Sequence, residues 1–132
     1  MNSRGTYVAS RTHHAPMWRA LRDDGWRITS TWIDEAGPGQ TADLGELWDR
    51  IAREVGESSR LVLYVEPDDF PLKGALIEVG VAIGVRIPIR VVAPRVELEP
   101  RSLRPIGSWV RHPFVRMCGS IDEAMEGADL CL

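Results

Sequence analysis

The sequence predicts an α/β fold with a mainly parallel central sheet, and three observations carry that reading. Short β-branched or alternating apolar segments take turns along the chain with segments of helical periodicity. One run, Leu61-Val-Leu-Tyr-Val65, is apolar throughout, as a strand covered on both faces requires. Finally, 132 residues at 44% hydrophobic and 27% charged are enough for one domain with one buried core, so residues 1–132 are read as a single domain.

The elements follow in order. Gly5-Thr-Tyr-Val-Ala-Ser10 is a first strand. Pro16 suits the first turn of a helix, where its missing N–H costs nothing; Met17, Leu21 and Trp18 supply the apolar stripe and Gly25 ends it. Trp26 to Ile33 alternates with period two and predicts a half-buried strand. Asp34 to Gln40, with its Gly-Pro-Gly, is a loop. Thr41 is positioned to cap a second helix, in which Leu44, Leu47, Trp48, Ile51 and Val55 share one face. After the central run comes Glu66-Pro-Asp-Asp-Phe-Pro71, rich in turn formers and carboxylates. Gly74 to Val85 has almost no polar face and predicts a buried helix. Ile87 to Val92 is a further strand. Ala93 to Gly107 is an extended connection, punctuated by Pro94, Pro100 and Pro105. A short apolar piece follows at Phe114 to Met117, and Ser120-Ile-Asp-Glu123 is a capping box that opens a last helix.

Composition excludes several function classes. Lys and Arg number 16 against 19 Asp and Glu, a formal charge of −3, which argues against a partner that is a nucleic acid polymer. The most apolar stretch, Ala75 to Ala93, is interrupted by Glu78, Arg86, Pro88 and Arg90, so no membrane partner is expected. Cys118 and Cys131 make neither a disulfide framework nor a ligand pair, and Met1 to Ser10 lacks the apolar stretch of a signal peptide; a cytoplasmic location is expected. Small molecules remain as ligands.

In parallel sheets ligands bind beyond the carboxyl ends of the strands, which here gathers Ala9 to His14, Ile33 to Gln40 and Glu66 to Gly74. Glu78 is the most informative residue, because every neighbour from Gly74 to Gly84 is apolar or glycine. An ionised carboxylate there is costly unless it faces a cavity or a partner. Its other reading is a structural carboxylate that caps or pairs with an arginine. Asp68 and Asp69, ten and nine residues earlier, can supply an acid/base partner, or can belong to a solvated Pro-Asp-Asp turn. Tyr7 and Tyr64 sit on predicted central strands, where a phenol orients a carboxylate or fills the core. Ser10-Arg11 can bind a phosphate or a sugar hydroxyl, and Trp32, at a strand end, can stack on a base. His13-His14 has no acidic or Cys partner near it in sequence and reads as a solvated helix entrance, so no metal is expected.

Four pieces in order, Tyr7-Val-Ala-Ser-Arg11, Leu61-Val-Leu-Tyr-Val-Glu-Pro67, Lys73-Gly-Ala-Leu-Ile-Glu-Val-Gly-Val-Ala82 and Ser108-Trp-Val-Arg-His-Pro113, make the chain resemble the nucleoside 2-deoxyribosyltransferase-like family from about Tyr7 to Glu126. The Gly-x-x-x-Glu-x-Gly-x-Ala element is its most specific part. The resemblance implies a flavodoxin-like three-layer sandwich, assembly as a homo-oligomer, and cleavage or transfer at the N-glycosidic bond of a (deoxy)nucleoside or nucleotide without a cofactor. It implies that Glu78 is the nucleophile, forming a glycosyl ester, and that Tyr7 orients it. Asp68 or Asp69 is then the acid/base candidate, and Ser10, Arg11, Trp32, Gly74 and Trp109 are the candidate substrate contacts. Trp109 and His112 lie in the region that in such relatives reaches the neighbouring subunit's site; a surface strap is the plain alternative. The chain departs from the longer transferases at Leu72, where they carry an aspartate, and has Ser58-Ser59 where many relatives have Ala-Asp. A catalytically inactive, nucleotide-binding sensor of the same fold is the alternative function.

Overall fold

Strands β1 (Thr6–Ala9), β2 (Arg60–Tyr64), β3 (Ile89–Val92) and β4 (Val115–Cys118) lie side by side in that order, all parallel, in a computed structural model that describes residues 5–37 and 41–128. Tyr7 pairs in register with Leu61, Leu61 with Ile89, and Ile89 with Val115. Tyr7, Val8, Leu61, Val62, Leu63, Ile89 and Val91 are fully buried, so the sheet is covered on both faces, as the unbroken run at Leu61 requires.

Helix α1 (Ala15–Asp23) follows β1, α2 (Leu44–Gly56) precedes β2, α3 (Gly74–Val85) connects β2 to β3, and the short α4 (Ile121–Ala124) packs on β3 and β4. α2 and α3 pack together on one face. Right-handed crossovers put α1 on the opposite face, which completes three layers. Pro16 lies in the first turn of α1, and Gly25, at φ 111°, follows its end. Ser120 caps α4 by accepting from the Glu123 N–H at 3.1 Å, while the Glu123 carboxylate reaches past it to the Gly119 N–H at 3.0 Å.

The chain departs from the sequence reading in three places. Trp26 to Ile33 is not a continuous strand: it is bridged only at isolated residues, among them Ile28 in parallel to Thr6, and then turns into a 3-10 helix over Thr31–Asp34. The reason is on β1 itself. Beyond the bridge, the Val8 N–H donates to Ser30 Oγ at 3.0 Å and Trp32 Nε1 donates to the Val8 carbonyl at 2.8 Å, so side chains take the bonds a longer strand would have made. With this residual strand counted, the order becomes that of the flavodoxin-like doubly wound sheet. Second, Asp43, not Thr41, caps α2, accepting from the Glu46 N–H at 3.0 Å. Third, α3 is not buried all round: Ala75, Glu78, Val79 and Ala82 form its inner stripe, whereas Leu76, Ile77 and Val85 are exposed. The apolar piece at Phe114 to Met117, to which the sequence assigns no element type, falls largely in β4 (Val115–Cys118), at the edge of the sheet.

The connection after β3 is tied to the core by Leu103, Ile106 and Val110. Among the described residues no helix is long and apolar enough to cross a membrane. Cys131 and the Pro38–Gln40 part of the predicted loop lie outside the described residues.

Candidate functional site

The chain leaves β1 toward the Ile28 side of the sheet and leaves β2 toward the other side, so the loops after these two neighbouring strands diverge. Such a switch point opens a crevice at the strands' carboxyl ends. A cavity of about 310 Å³ occupies it, a size that suits a small-molecule ligand. Ser10, Arg11 and Thr12 line it from the loop after β1; Trp32, Glu35 and Ala36 from the 3-10 turn; Lys73, Gly74, Ala75 and Glu78 from the start of α3; and Leu47, Trp48 and Ile51 from α2.

Glu78 is the buried acid of this wall, with 6% of its surface exposed. Burial pushes its carboxyl up to about 8, the nearby charge of Glu54 adds to the rise, and the Tyr7 phenol acts against it by favouring the ionised form. Tyr7 comes from β1, is fully buried, and has its own hydroxyl raised well above the ordinary tyrosine range by burial first and the Glu78 charge second. The two groups thus face each other. Even so, neither Tyr7 Oη nor Glu78 Oε2 completes a well-aligned hydrogen bond among the described residues. A buried acceptor left open on a cavity wall has bonding capacity for a ligand.

The surrounding groups are held by the fold. Ser10 Oγ accepts from Trp18 Nε1 at 2.8 Å and donates to the Arg11 carbonyl. Arg11 Nη1 donates to the carbonyls of Asp69 and Pro71 at 3.3 and 3.2 Å, tying the loop after β1 to the acidic loop after β2. Trp32 presents its ring to the cavity while its indole N–H is held by Val8. A Cβ on Gly74 would stand 3.0 Å from Trp48 Cη2, so the absence of a side chain there gives the tryptophan its place on the wall. Glu35 is paired with Arg50, which holds its carboxyl below the usual range. Glu54 accepts from both the N–H and the hydroxyl of Thr31, at 3.0 and 2.7 Å, and so fixes the turn that carries Trp32.

Of the residues singled out from sequence, Glu78, Ser10, Arg11, Trp32 and Gly74 line one cavity and Tyr7 backs it. Asp68 and Asp69 do not line it. The Asp69 carboxylate is buried elsewhere, accepting from the Glu66 N–H and bonded to His14 Nε2, each at 2.8 Å. Tyr64 donates to Glu66 rather than to Glu78. Trp109 is also absent from the wall: it packs partly buried on the core beside Gly107, and His112 Nδ1 accepts from the Phe114 N–H. The reading of His13-His14 as a solvated entrance without an acidic partner is corrected as well, since His14 is buried and Asp69 comes to it from 55 residues along the chain.

Sequence reasoning missed Lys73, Glu35 and Trp48 as wall residues. Trp48 falls in the apolar stripe of α2, a period that suits a core position, yet it remains 36% exposed. The spacing from Trp48 to Ile51 places both on one face, but not what that face meets.

No family model matches the chain, and no curated protein matches it. Among solved structures it is similar to the CMP N-glycosidase BcmB of Clostridium botulinum, at 13% identity and a TM-score of 0.54 over 92% of this chain and 96% of that one. At that identity the likeness shows a shared α/β fold.

Proposed function

We propose that the protein cleaves the N-glycosidic bond of a nucleotide or (deoxy)nucleoside, with Glu78 as nucleophile. The observation that carries this reading is a buried carboxyl with an open acceptor oxygen, beside a buried phenol, on the wall of a cavity at the sheet's switch point. The similarity of the fold to a CMP N-glycosidase and the family resemblance of the sequence support the same reaction class.

Chemically, an ionised Glu78 oxygen attacks C1′ and forms a C1′–O ester. The C1′–N bond breaks with its electron pair going to the departing base, which takes up a proton from solvent in the open cavity, and the water that later attacks C1′ returns one. Water, or a second base, then attacks C1′ and returns the carboxylate. Tyr7, whose phenol faces Glu78 and favours its ionised form, is the candidate to orient the attacking oxygen. Trp32 and Trp48 offer apolar ring surface to the base, and Ser10 and Thr12 offer hydroxyls to the sugar. Two cationic side chains, Arg11 and Lys73, line the wall and favour a phosphorylated substrate. No cofactor is needed for these steps.

A second reading, a binding module without turnover, draws on one observation. Asp68 and Asp69 lie off the wall, and Glu35, which lines it, is kept ionised by Arg50, so among the described residues no second carboxyl on the wall stands ready as a proton donor. The deciding experiment incubates wild type and Glu78→Ala with ribo- and deoxyribonucleosides and their 5′-monophosphates, with and without a second free base, and separates the products. Base release by wild type, lost by at least about a hundredfold in the variant, supports the nucleophile. A kcat/KM that climbs toward pH 8 and then levels marks an attacking carboxylate, because the ionised share of a group near 8 grows over that range. Binding without turnover across the panel would leave the sensor reading in its place.

The assembly is proposed to be a homo-oligomer. Supporting it, Trp48 and Ile77 meet Ile51 and Val81 in an apolar groove between α2 and α3, with Leu44 one turn before Trp48 and 64% exposed.

A further inference from the structure

We infer that His13, His14 and Asp69 form a binding site for one divalent transition-metal ion of the zinc class, separate from the cavity wall. The three residues come from two loops. His13 and His14 form the 3-10 turn after β1, and Asp69 ends the 3-10 turn after β2. Their ligand atoms all lie within 4.8 Å of one another. His13 Nε2 stands 3.3 Å from Asp69 Oδ1, and His14 Nε2 stands 2.8 Å from Asp69 Oδ2. Two ligands on one zinc ion, each about 2.1 Å from the metal, are roughly 3.0–3.5 Å apart, so the first of these spacings already suits a shared ion.

A second observation points to a ligand independently of the clustering. The Asp69 side chain is 1% exposed, and its Oδ1, which faces His13, accepts no hydrogen bond among the described residues. Such an oxygen has lost its water and has only the His13 imidazole near it, at 3.3 Å and without a completed hydrogen bond, which is costly for an anionic acceptor. A cation supplies what it lacks. The other oxygen is already fixed by the Glu66 N–H, the outer support that carboxylate ligands of metals ordinarily have. In the tautomer that carries the ring proton on Nδ1, His14 Nε2 presents its lone pair to the metal. Two imidazoles and one carboxylate are a set that suits zinc, copper or nickel over calcium or magnesium. His13 is 63% exposed, so the ion has a route in, and water completes its coordination.

The ion would join the same two loops that Arg11 already links through the Asp69 and Pro71 carbonyls. It ties these loops together without lining the cavity, so this inference stands whether or not the chain turns over nucleotides.

The test titrates ZnCl2 into chelator-treated protein by calorimetry and follows thermal unfolding in parallel. Wild type is expected to bind one equivalent and to unfold at higher temperature with zinc present. His13→Ala and Asp69→Asn are each expected to weaken binding by at least about tenfold, the loss that even outer-sphere changes cause at such sites. His112→Ala, which removes the remaining histidine of three, is expected to bind as wild type does. Bound Co2+ is expected to show no thiolate-to-metal absorption band. No saturable wild-type binding, binding by His13→Ala equal to wild type, or a thiolate band would each overturn the site. If Asp69→Asn does not fold, the exposed His13 decides the matter alone.

Discussion

An ionised carboxylate inside an apolar helix depends on its surroundings, and around Glu78 the support is partial: Tyr7 favours the charge while burial and Glu54 oppose it. The folded-state value of about 8 lies above the ordinary 4.5, so between those limits the folded protein keeps a proton that the unfolded chain has released. The stabilisation of the protonated form is therefore complete below about pH 4.5 and is lost as the pH rises through 8. Glu78→Gln removes that dependence. Thermal unfolding at pH 5, 6.5 and 8 is expected to show the variant gaining on wild type as pH rises, by several degrees at pH 8; parallel profiles would contradict the burial argument. At this scale Glu78 was legible in the sequence because a lone acid among ten apolar or glycine neighbours is conspicuous in one dimension. Asp69 was not. Its sequence neighbours give it the look of a turn residue, which its bond from the Glu66 N–H bears out, but its partner His14 becomes visible only when two loops are brought together.

Among the elements, the strands with two covered faces were legible and the half-covered one was not. Leu61 to Val65 and Ile89 to Val92 pack on both sides, so their apolar runs have one interpretation. Trp26 to Ile33 alternates as a strand does, but its alternation serves a bridge followed by a turn that carries Trp32 to the cavity. The close approach of this segment also explains Gly5, where a Cβ would stand 2.7 Å from the Arg27 carbonyl oxygen. That oxygen is fixed by its bond from the Thr6 N–H and has no room to yield. Gly5→Ala is expected to cost about 1–3 kcal/mol in urea unfolding, the usual penalty for overfilling a packed position. A loss under about 0.5 kcal/mol would mean that the segment moves freely against β1. The helix α3 taught the complementary lesson: an all-apolar helix predicts burial all round, but a single chain covers only its inner stripe.

For the whole molecule, that uncovered face bears on assembly. Ile77 is 57% exposed in the middle of α3, next to Trp48 and Val81. In light scattering after size exclusion, wild type is expected at twice the chain mass or more, and Ile77→Glu at the mass of one chain; a monomeric wild type at tens of micromolar would dispose of the oligomer. The β1 flank of the sheet limits how copies can meet. Each outward-facing group of that strand is occupied: the Thr6 N–H by Arg27, the Thr6 carbonyl by Thr29, the Val8 N–H by Ser30 and the Val8 carbonyl by Trp32. A bare strand edge is a template on which a foreign strand can build, whether in swapping or in fibre growth. Here those groups are taken by two side chains and by the bridged segment beside the strand, so β1 itself offers no bare edge on which a foreign strand can build.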